Sequence, residues 1–454
     1  MLLYGNQLSI GRQMRRFLWL IRQVRPRLVV VLVAVSSLSA RAQGPQITVL
    51  HCGRLIDTKN AIAATGVDVV IERGRIVAVG PRLPVPFGAR EIDLTQMTVL
   101  PGLIDAHTHL LTEYERSLPD ALNGVVELGL RSDALRALRG AVLAREMLYA
   151  GFTAVRDLGN AGEGADLALR DAINAGWSVG PRMYAASRAI SATDGQASLA
   201  PQRVGMGFVT AEYRIVTGPV EARRAVREAI FEGADLIKVI VNPGPSLARD
   251  ELDAIVDEAR RHGKRVAAHA TDDASVRLAV EAGVSSVEHA YDVSDAALTL
   301  MRARGAWLVP TDFPVDHFLA FYDDSATKAN QRARIAATVR AHQMRLSRAL
   351  HLNVGIAFGS DSYYAVPGQT RGQTSLSAMR AYADAGMEPL RIIQAATINA
   401  ARLLGVENTM GSIEVGKTAN IIAIDGNPIA DIRALESVRF VMKEGEVVVF
   451  RVAK

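Results

Sequence analysis

The chain has 454 residues, which is too long for one small core and fits a barrel of about 250 residues with insertions, or two to three structural units. Its composition is 49% hydrophobic but only 5% aromatic, with 37 Gly, which is typical of an α/β enzyme and excludes a fibrous or disordered chain. The formal net charge is +5, and a single Cys excludes an intramolecular disulfide framework.

Residues 1–42 predict a secretory signal peptide, whether the chain starts at Met1 or Met14. The segment has seven Arg, no Asp, Glu or Lys, an apolar stretch at 28–35, and the small-residue signature Ala40-Arg41-Ala42. The apolar stretch is shorter than the ~20 residues of a membrane span, so no stable span is expected after cleavage. Losing seven Arg changes the formal charge from +5 to −2, which argues against nucleic-acid binding. We expect an exported protein, periplasmic or extracellular.

Strand signals dominate residues 43–102 and return in residues 411–454. Residues 67–80 predict a hairpin that turns at Gly74. Short apolar stretches at 419–426 and 438–448 are likewise interrupted by Gly. The two ends of the chain could therefore pair into one small β-domain, with the middle of the chain inserted between them.

The middle of the chain, residues 103–410, alternates predicted helices with short apolar strands. The predicted helices cover 135–149, 221–232, 250–262, 274–282, 295–304 and 332–350. The predicted strands cover 152–157, 236–241, 266–269, 284–289, 307–311 and 354–361. Repeated βα units of this spacing indicate a parallel sheet, and about eight strands over some 300 residues favour a closed (β/α)₈ barrel over an open sheet.

Two histidines alternate at the end of the apolar run 99–109, which closes with His107-Thr108-His109. Residues i and i+2 of a strand point to the same face, about 7 Å apart along the backbone, so both imidazoles could reach one cation. The alternative is a half-exposed strand end that carries two His by chance.

Other polar residues follow the same placement, each at the carboxyl end of a predicted strand: Lys238, His269, His289 and Asp361. Singly, the Lys could be salt-bridged, the two His could be satisfied core residues, and the Asp could cap a turn or helix. The carboxyl ends of barrel strands meet at one mouth, however. Taken together with His107 and His109, these residues predict a metal site.

This residue set, His107-x-His109, Lys238, His269, His289 and Asp361, resembles the metal-binding pattern of the amidohydrolase superfamily, in its binuclear-metal branch. Residues 99–109 and 411–420 are similar to two further family motifs, with Asn420 where Asp is usual. The resemblance covers roughly 48–450. It implies a distorted (β/α)₈ barrel at 103–410 and a small β-sandwich built from both chain ends, 43–102 plus 411–454.

The resemblance also implies a chemistry. It implies two divalent metal ions, and imidazole and carboxylate ligands suit Zn²⁺. It implies that Lys238 is carboxylated by CO₂, so that a bridging carbamate replaces its ammonium. A metal-bound hydroxide would attack the scissile carbonyl, and Asp361 would be the catalytic residue that takes the proton from the water and passes it to the leaving amine.

Three segments, 152–157, 233–238 and 287–290, resemble the imidazolonepropionase-like branch. That branch includes prolidase-like dipeptidases, carboxypeptidase-like enzymes and ochratoxin-hydrolysing amidohydrolases. Its members commonly carry Thr-Gly-Gly-His after the third strand, whereas Gln196 stands at the His position here. His317, expected in a loop after the sixth strand, is a candidate to replace that His, and an exposed loop residue is the alternative.

The expected function is hydrolysis of an amide or peptide bond next to a free carboxylate, in a small-molecule or dipeptide-like substrate. Arg188 and Tyr213 are candidates to bind that carboxylate, in addition to Gln196 and His317. The alternatives are a local pair between Arg188 and Asp194, and simple packing of Tyr213. Hydrolysis of a cyclic amide and a non-catalytic metal-binding role also stay open, as does a homo-oligomer. Lys238 argues against a mononuclear deaminase.

Overall fold

The computed structural model describes residues 47–451, except 116–117, 119, 160–161, 194, 196–205, 243–245 and 322–327. The predicted signal peptide, Asp194 and Gln196 lie outside the described residues. Within these ranges, no helix combines the length and the apolar character needed to cross a membrane.

The strands in chain order are β1 Ile47–Asp57, β2 Ile62–Glu72, β3 Arg75–Pro81, β4 Arg90–Pro101, β5 Leu103–Thr108, β6 Phe152–Asp157, β7 Arg182–Ala185, β8 Ala189–Ser191, β9 Tyr213–Ile215, β10 Ile237–Ile240, β11 Val266–Asp272, β12 Ser286–Asp292, β13 Trp307–Val309, β14 Ile421–Ile424, β15 Val438–Lys443 and β16 Glu446–Phe450.

The helices are α1 Asp120–Val125, α2 Asp133–Tyr149, α3 Ala165–Asn174, α4 Met206–Glu212, α5 Pro219–Glu232, α6 Arg249–Arg261, α7 Asp273–Ala282, α8 Asp295–Arg304, α9 Val315–Phe321, α10 Lys328–His351, α11 Arg371–Asp384, α12 Pro389–Gln394 and α13 Ala400–Leu404. The six helices predicted from sequence are confirmed, with ends that shift by four residues at most.

Both ends of the described chain contribute to one seven-stranded mixed sheet, in the order β16-β15-β14-β4-β1-β2-β3. The ends meet where β4 pairs antiparallel with β14, for example Leu100 opposite Ile422. The hairpin predicted for residues 67–80 is confirmed: β2 pairs with β3, and Gly74 in the turn has φ +77°. A Cβ at Gly74 would lie 2.5 Å from the carbonyl oxygen of Glu444, so only Gly fits this turn.

The middle of the chain forms two parallel sheets, β5-β6-β7 and β13-β12-β11-β10-β8-β9. The strand predicted at 354–361 does not form a continuous ladder. Instead there are isolated parallel bridges, Leu308 to Ile356 on one side and, one residue past the predicted strand, Thr108 to Ser362 on the other. These bridges connect the residues between α10 and α11 to both parallel sheets.

Side chains that cap helix N-termini allow helices to begin soon after strands in this region. Asp272 ends β11 and its side chain accepts a hydrogen bond from the Ser275 backbone at the start of α7, and Ser294 caps α8 in the same way. Both helices end at a Gly with positive φ, +96° at Gly283 and +70° at Gly305. The polar side chains at the strand ends are therefore held on a rigid frame.

Candidate metal centre

The two histidines of the His-x-His motif lie side by side where β5 ends. Their ring centroids are 5.2 Å apart, and the two Nε2 atoms are 3.3 Å apart. The His107 side chain is 1% exposed and that of His109 is 12% exposed. The alternation seen in the sequence thus places both imidazoles on one face, as predicted from strand geometry.

Asp361 faces both imidazoles from the segment that follows α10. Its Oδ1 lies 3.0 Å from His109 Nε2 and 3.5 Å from His107 Nε2. Its backbone has φ +53°, in the left-handed region, and its N–H donates to the carbonyl of His107 at 2.8 Å. The ligand atoms of these three residues lie within 4.8 Å of one another, so the group could hold a metal ion.

Asp105 fixes the two backbones that carry this group. Its carboxylate accepts hydrogen bonds from Ser360 Oγ at 2.6 Å, from the Ser360 N–H at 3.0 Å, and from the His107 N–H at 3.1 Å. Because Asp105 is fully buried, these bonds stabilise its position strongly. No pattern in the sequence indicates this role of Asp105.

The two later histidines approach the same place. The His289 ring centroid is 5.2 Å from that of His107 and 4.5 Å from that of His269. His289 has φ +76°, unusual for a residue other than Gly, and its Nδ1 lies 2.8 Å from Thr311 Oγ1. His289 Nδ1 is also 3.9 Å from Asp361 Oδ2.

Lys238 is buried in β10, and burial lowers its pKa to about 8. In the ranges that the structure describes, its ammonium makes no hydrogen bond or ion pair. Burial and the Lys238 charge lower the pKa of His107 to about 4 and that of His269 to about 3. These imidazoles are therefore neutral at pH 7, which is the form that binds metals.

Hydrogen-bond partners fix the tautomers of three imidazoles. The Nδ1 atoms of His107 and His109 face acceptors, the Glu288 carboxylate at 2.8 Å and the carbonyl of Gly159 at 3.1 Å, so each Nδ1 carries the proton. Thr311 Oγ1 donates to a backbone carbonyl and accepts from His289 Nδ1. In the neutral form each of these rings presents its Nε2 lone pair. Burial lowers the pKa of His109, but the hydrogen bond and charge of Asp361 outweigh it and raise that pKa, so without a metal ion the Nε2 of His109 is the one that a proton occupies most readily.

This arrangement fits a cation. The two Nε2 atoms lie 3.3 Å apart, an arrangement that either a proton on one ring or a cation bound by both stabilises. Asp361 Oδ1 is buried and makes no hydrogen bond of acceptable geometry among the described residues. Neutral imidazoles and a carboxylate are ligands that suit Zn²⁺.

The residues predicted to bind substrate are engaged in other contacts or lie on other elements. Arg188 donates to the Thr210 carbonyl at 2.9 Å and to Glu232 at 3.4 Å. Tyr213 begins the short strand β9. The placement predicted for His317 is wrong: it lies in helix α9 after β13, because residues 315–321 form a helix that continues the βα alternation.

His317 is also buried rather than exposed. Its ring stacks on Phe313 with centroids 3.8 Å apart, and burial lowers its pKa to about 4. Neither ring nitrogen has a hydrogen-bond partner among the described residues.

Sequence reasoning missed Glu288, which directly precedes His289 in β12 and contacts His107. A Glu inside a predicted central strand, directly before a candidate ligand, was the available signal, because a carboxylate is costly to bury without partners.

Comparison with known proteins gives consistent matches. A model described as the amidohydrolase family matches residues 98–448. Ochratoxinase from Aspergillus niger is 31% identical over 425 residues, which is 86% of this chain and 84% of that protein, and its crystal structure has a TM-score of 0.75. Imidazolonepropionase from Symbiobacterium thermophilum is 28% identical over 407 residues, 81% of this chain and 85% of that one. The crystal structure of a Xaa-Pro dipeptidase with bound methionine has a TM-score of 0.77 at 31% identity, covering 89% of this chain and all of that one.

Proposed function

Because this chain belongs to the amidohydrolase family and is a hydrolase of carbon–nitrogen bonds, we propose that it cleaves an amide or peptide bond next to a free carboxylate in a metal-dependent reaction. One observation carries the proposal: imidazole lone pairs and a carboxylate oxygen face one another in a buried group. The names of the ochratoxinase and Xaa-Pro dipeptidase relatives support an amide or dipeptide substrate.

The proposed ligands of two divalent ions, preferably Zn²⁺, are His107, His109, Lys238, His269, His289 and Asp361. When bound, such ions lower the pKa of a coordinated water and polarise a carbonyl. Lys238 supports the pair as a carbamate: the ammonium first loses a proton, and the neutral amine then adds to CO₂ with loss of a second proton. A buried cation that has no partner among the described residues thereby becomes an anion.

Asp361 is the proposed proton carrier. Burial raises the pKa of its carboxyl, but the adjacent His107 and His109 outweigh this effect and lower it below the usual value, so Asp361 is ionised at neutral pH. Oδ1 lies between the two histidines, whereas Oδ2 is 3.9 Å from His289 Nδ1. We assign to Oδ2 the transfer of a proton from the attacking water to the leaving amine.

The architecture we propose around this site is a distorted (β/α)₈ barrel. The segment after α10 bonds to both neighbouring sheets: the Ala357 N–H donates to Leu308 at 3.0 Å, and the Ala106 N–H donates to Phe358 at 2.9 Å. These bonds support closure of the parallel sheets into a ring. We also propose that the seven-stranded sheet folds over into a sandwich. Its two edges approach each other closely, since a Cβ on Gly445 at one edge would lie 2.4 Å from the Cα of Gly74 at the other.

His317 is the substrate contact that the described residues support best, since a buried imidazole needs a partner for at least one nitrogen. Arg188 already pairs with Glu232, so its guanidinium is less available to a substrate carboxylate. Hydrolysis of a cyclic amide is the second candidate, favoured by the imidazolonepropionase relative.

The deciding experiment compares substrates. We would assay the zinc-loaded full chain on a cyclic amide and on dipeptides, Xaa-Pro among them, with a free or a methyl-esterified C-terminal carboxylate. We expect esterification to lower kcat/KM at least tenfold, because a buried partner of the carboxylate loses its charge-assisted bond. Equal turnover of acid and ester would contradict the proposal, and turnover of a cyclic amide alone would favour the second candidate.

A further inference from the structure

Glu288 is a buried ionised group that the proposed chemistry does not use. Its side chain is 0% exposed, and its Oε2 accepts a hydrogen bond from His107 Nδ1 at 2.8 Å. We infer that Glu288 is a positioning residue that holds His107 in its metal-binding tautomer and thereby sets the zinc affinity of the site. The inference rests on the proposed metal site.

The backbone of β12 brings Glu288 and His289 to the same centre. Successive residues of a strand point to opposite faces, so neighbours in sequence do not ordinarily meet the same partner. The left-handed backbone at His289, φ +76°, and at Ala290, φ +47°, breaks that alternation. Glu288 therefore reaches Nδ1 of His107 while the His289 ring packs 5.2 Å from the same imidazole.

The second oxygen of Glu288 is held by two more donors. Oε1 accepts from Arg156 Nη2 at 2.8 Å and from Ser286 Oγ at 2.5 Å, and Arg156 Nη1 donates to the same Ser286 Oγ at 3.0 Å. Arg156 and Glu288 are both buried. The carboxylate thus meets donors on both oxygens and stays ionised.

The Nδ1 atom of His107 has a charged hydrogen-bond partner, unlike the Nδ1 atoms of His109 and His289. The Nδ1 partners of His109 and His289 are neutral, the Gly159 carbonyl and the Thr311 hydroxyl, whereas His107 faces a full charge. A carboxylate on the outer nitrogen fixes the ring and raises the basicity of the inner one. Of these three imidazoles, His107 is therefore the one whose metal affinity depends most on the hydrogen-bond partner of its Nδ1.

The test is Glu288→Gln. The hydrogen-bond partners of the Glu288 carboxylate among the described residues are all donors, namely His107 Nδ1–H, the Arg156 guanidinium and the Ser286 hydroxyl, and an amide offers only one acceptor oxygen. The amide nitrogen must therefore face either His107 or the other donors. We expect zinc to bind the full chain 10- to 100-fold more weakly, measured on metal-free protein against a competing chelator.

Glu212→Gln is the matched control. Glu212 is also buried and paired with an arginine, Arg136, whose other ion pair in the described part of the chain is with Asp133. We expect its zinc affinity to stay within about twofold of the unsubstituted chain. Equal zinc affinity for Glu288→Gln and the unsubstituted chain would overturn the inference.

Two further measurements keep the test decisive. If Glu288→Gln does not fold, Glu288→Asp keeps the charge but shortens its reach, and we expect the same direction of change. In metal-free protein, ¹⁵N spectra of the histidine side chains should show the Nδ1–H form of His107, and that form should be depleted in the variant. A chain that binds no zinc at all would instead overturn the proposed function itself.

Discussion

Replacing Asp361 with Asn separates proton transfer from metal binding. Asn keeps the shape of the side chain and one oxygen at the position of Oδ1, which lies 3.0 Å from His109 Nε2. Asn also tolerates the left-handed backbone at this position, φ +53°, better than most residues with a side chain do. What is lost is the ability to accept a proton at neutral pH.

The expected loss in kcat is about 10²- to 10⁴-fold, the range for a general acid–base group, which equals about 3–5 kcal/mol of transition-state stabilisation. Zinc content should fall much less than turnover. Steady-state kinetics on the best dipeptide substrate and the zinc content of the same preparation check both statements.

Asp312→Asn is the control for this variant. Asp312 is likewise buried, but it pairs with Arg345 at 2.7 Å and faces His342 at 3.5 Å, neither of which is a proposed metal ligand. Its loss should affect stability more than the chemical step. An Asp361→Asn enzyme within a few-fold of the unsubstituted kcat would show that another group carries the proton.

Three further predictions address other parts of the molecule. Lys238→Ala should lose most bound metal and most activity, with partial rescue by short carboxylic acids that replace the carbamate. Retention of two metal ions and full turnover would contradict the binuclear assignment. The pKa of His317 is lowered to about 4 by burial, so the unfolded chain takes up a proton near pH 6.5 before the folded one does. The free energy of unfolding should therefore fall as the pH decreases from about 6.5 to 4, by up to about 3 kcal/mol from this residue, and the fall should be smaller in His317→Phe when urea titrations are compared. Finally, the protein secreted by its own host should begin near Gln43, and N-terminal sequencing that still finds residues 15–40 would refute export by the predicted signal.

The sequence was informative where structure depends on local periodicity. The i, i+2 spacing of His107 and His109 predicted a shared face, and Gly74 predicted a hairpin, because both are properties of neighbouring residues. Helix ends were also close, since capping residues such as Ser294 are local.

The rest depends on contacts between distant segments. The strand predicted at 354–361 forms only isolated bridges, and Asp361 there has a left-handed backbone that no local pattern predicts. Arg188 pairs with Glu232, 44 residues further along the chain. The tautomers of the histidines depend on partners such as Gly159 and Glu288, which no spacing rule connects to them.

The pairing of β4 with β14 has a consequence for biosynthesis. Residue 101 ends β4 and residue 421 begins β14, so the first half of the sheet is made long before its partner exists. At 5–20 residues per second, the delay is roughly 15–60 s. During that time the edge of β4 and its apolar face lie open to wrong partners, and such unpaired edges are sites of aggregation. An expression host must therefore shield the edge of β4 until β14 has been made. A small deletion near the C-terminus should lower the yield of folded protein more than the same deletion in an exposed loop.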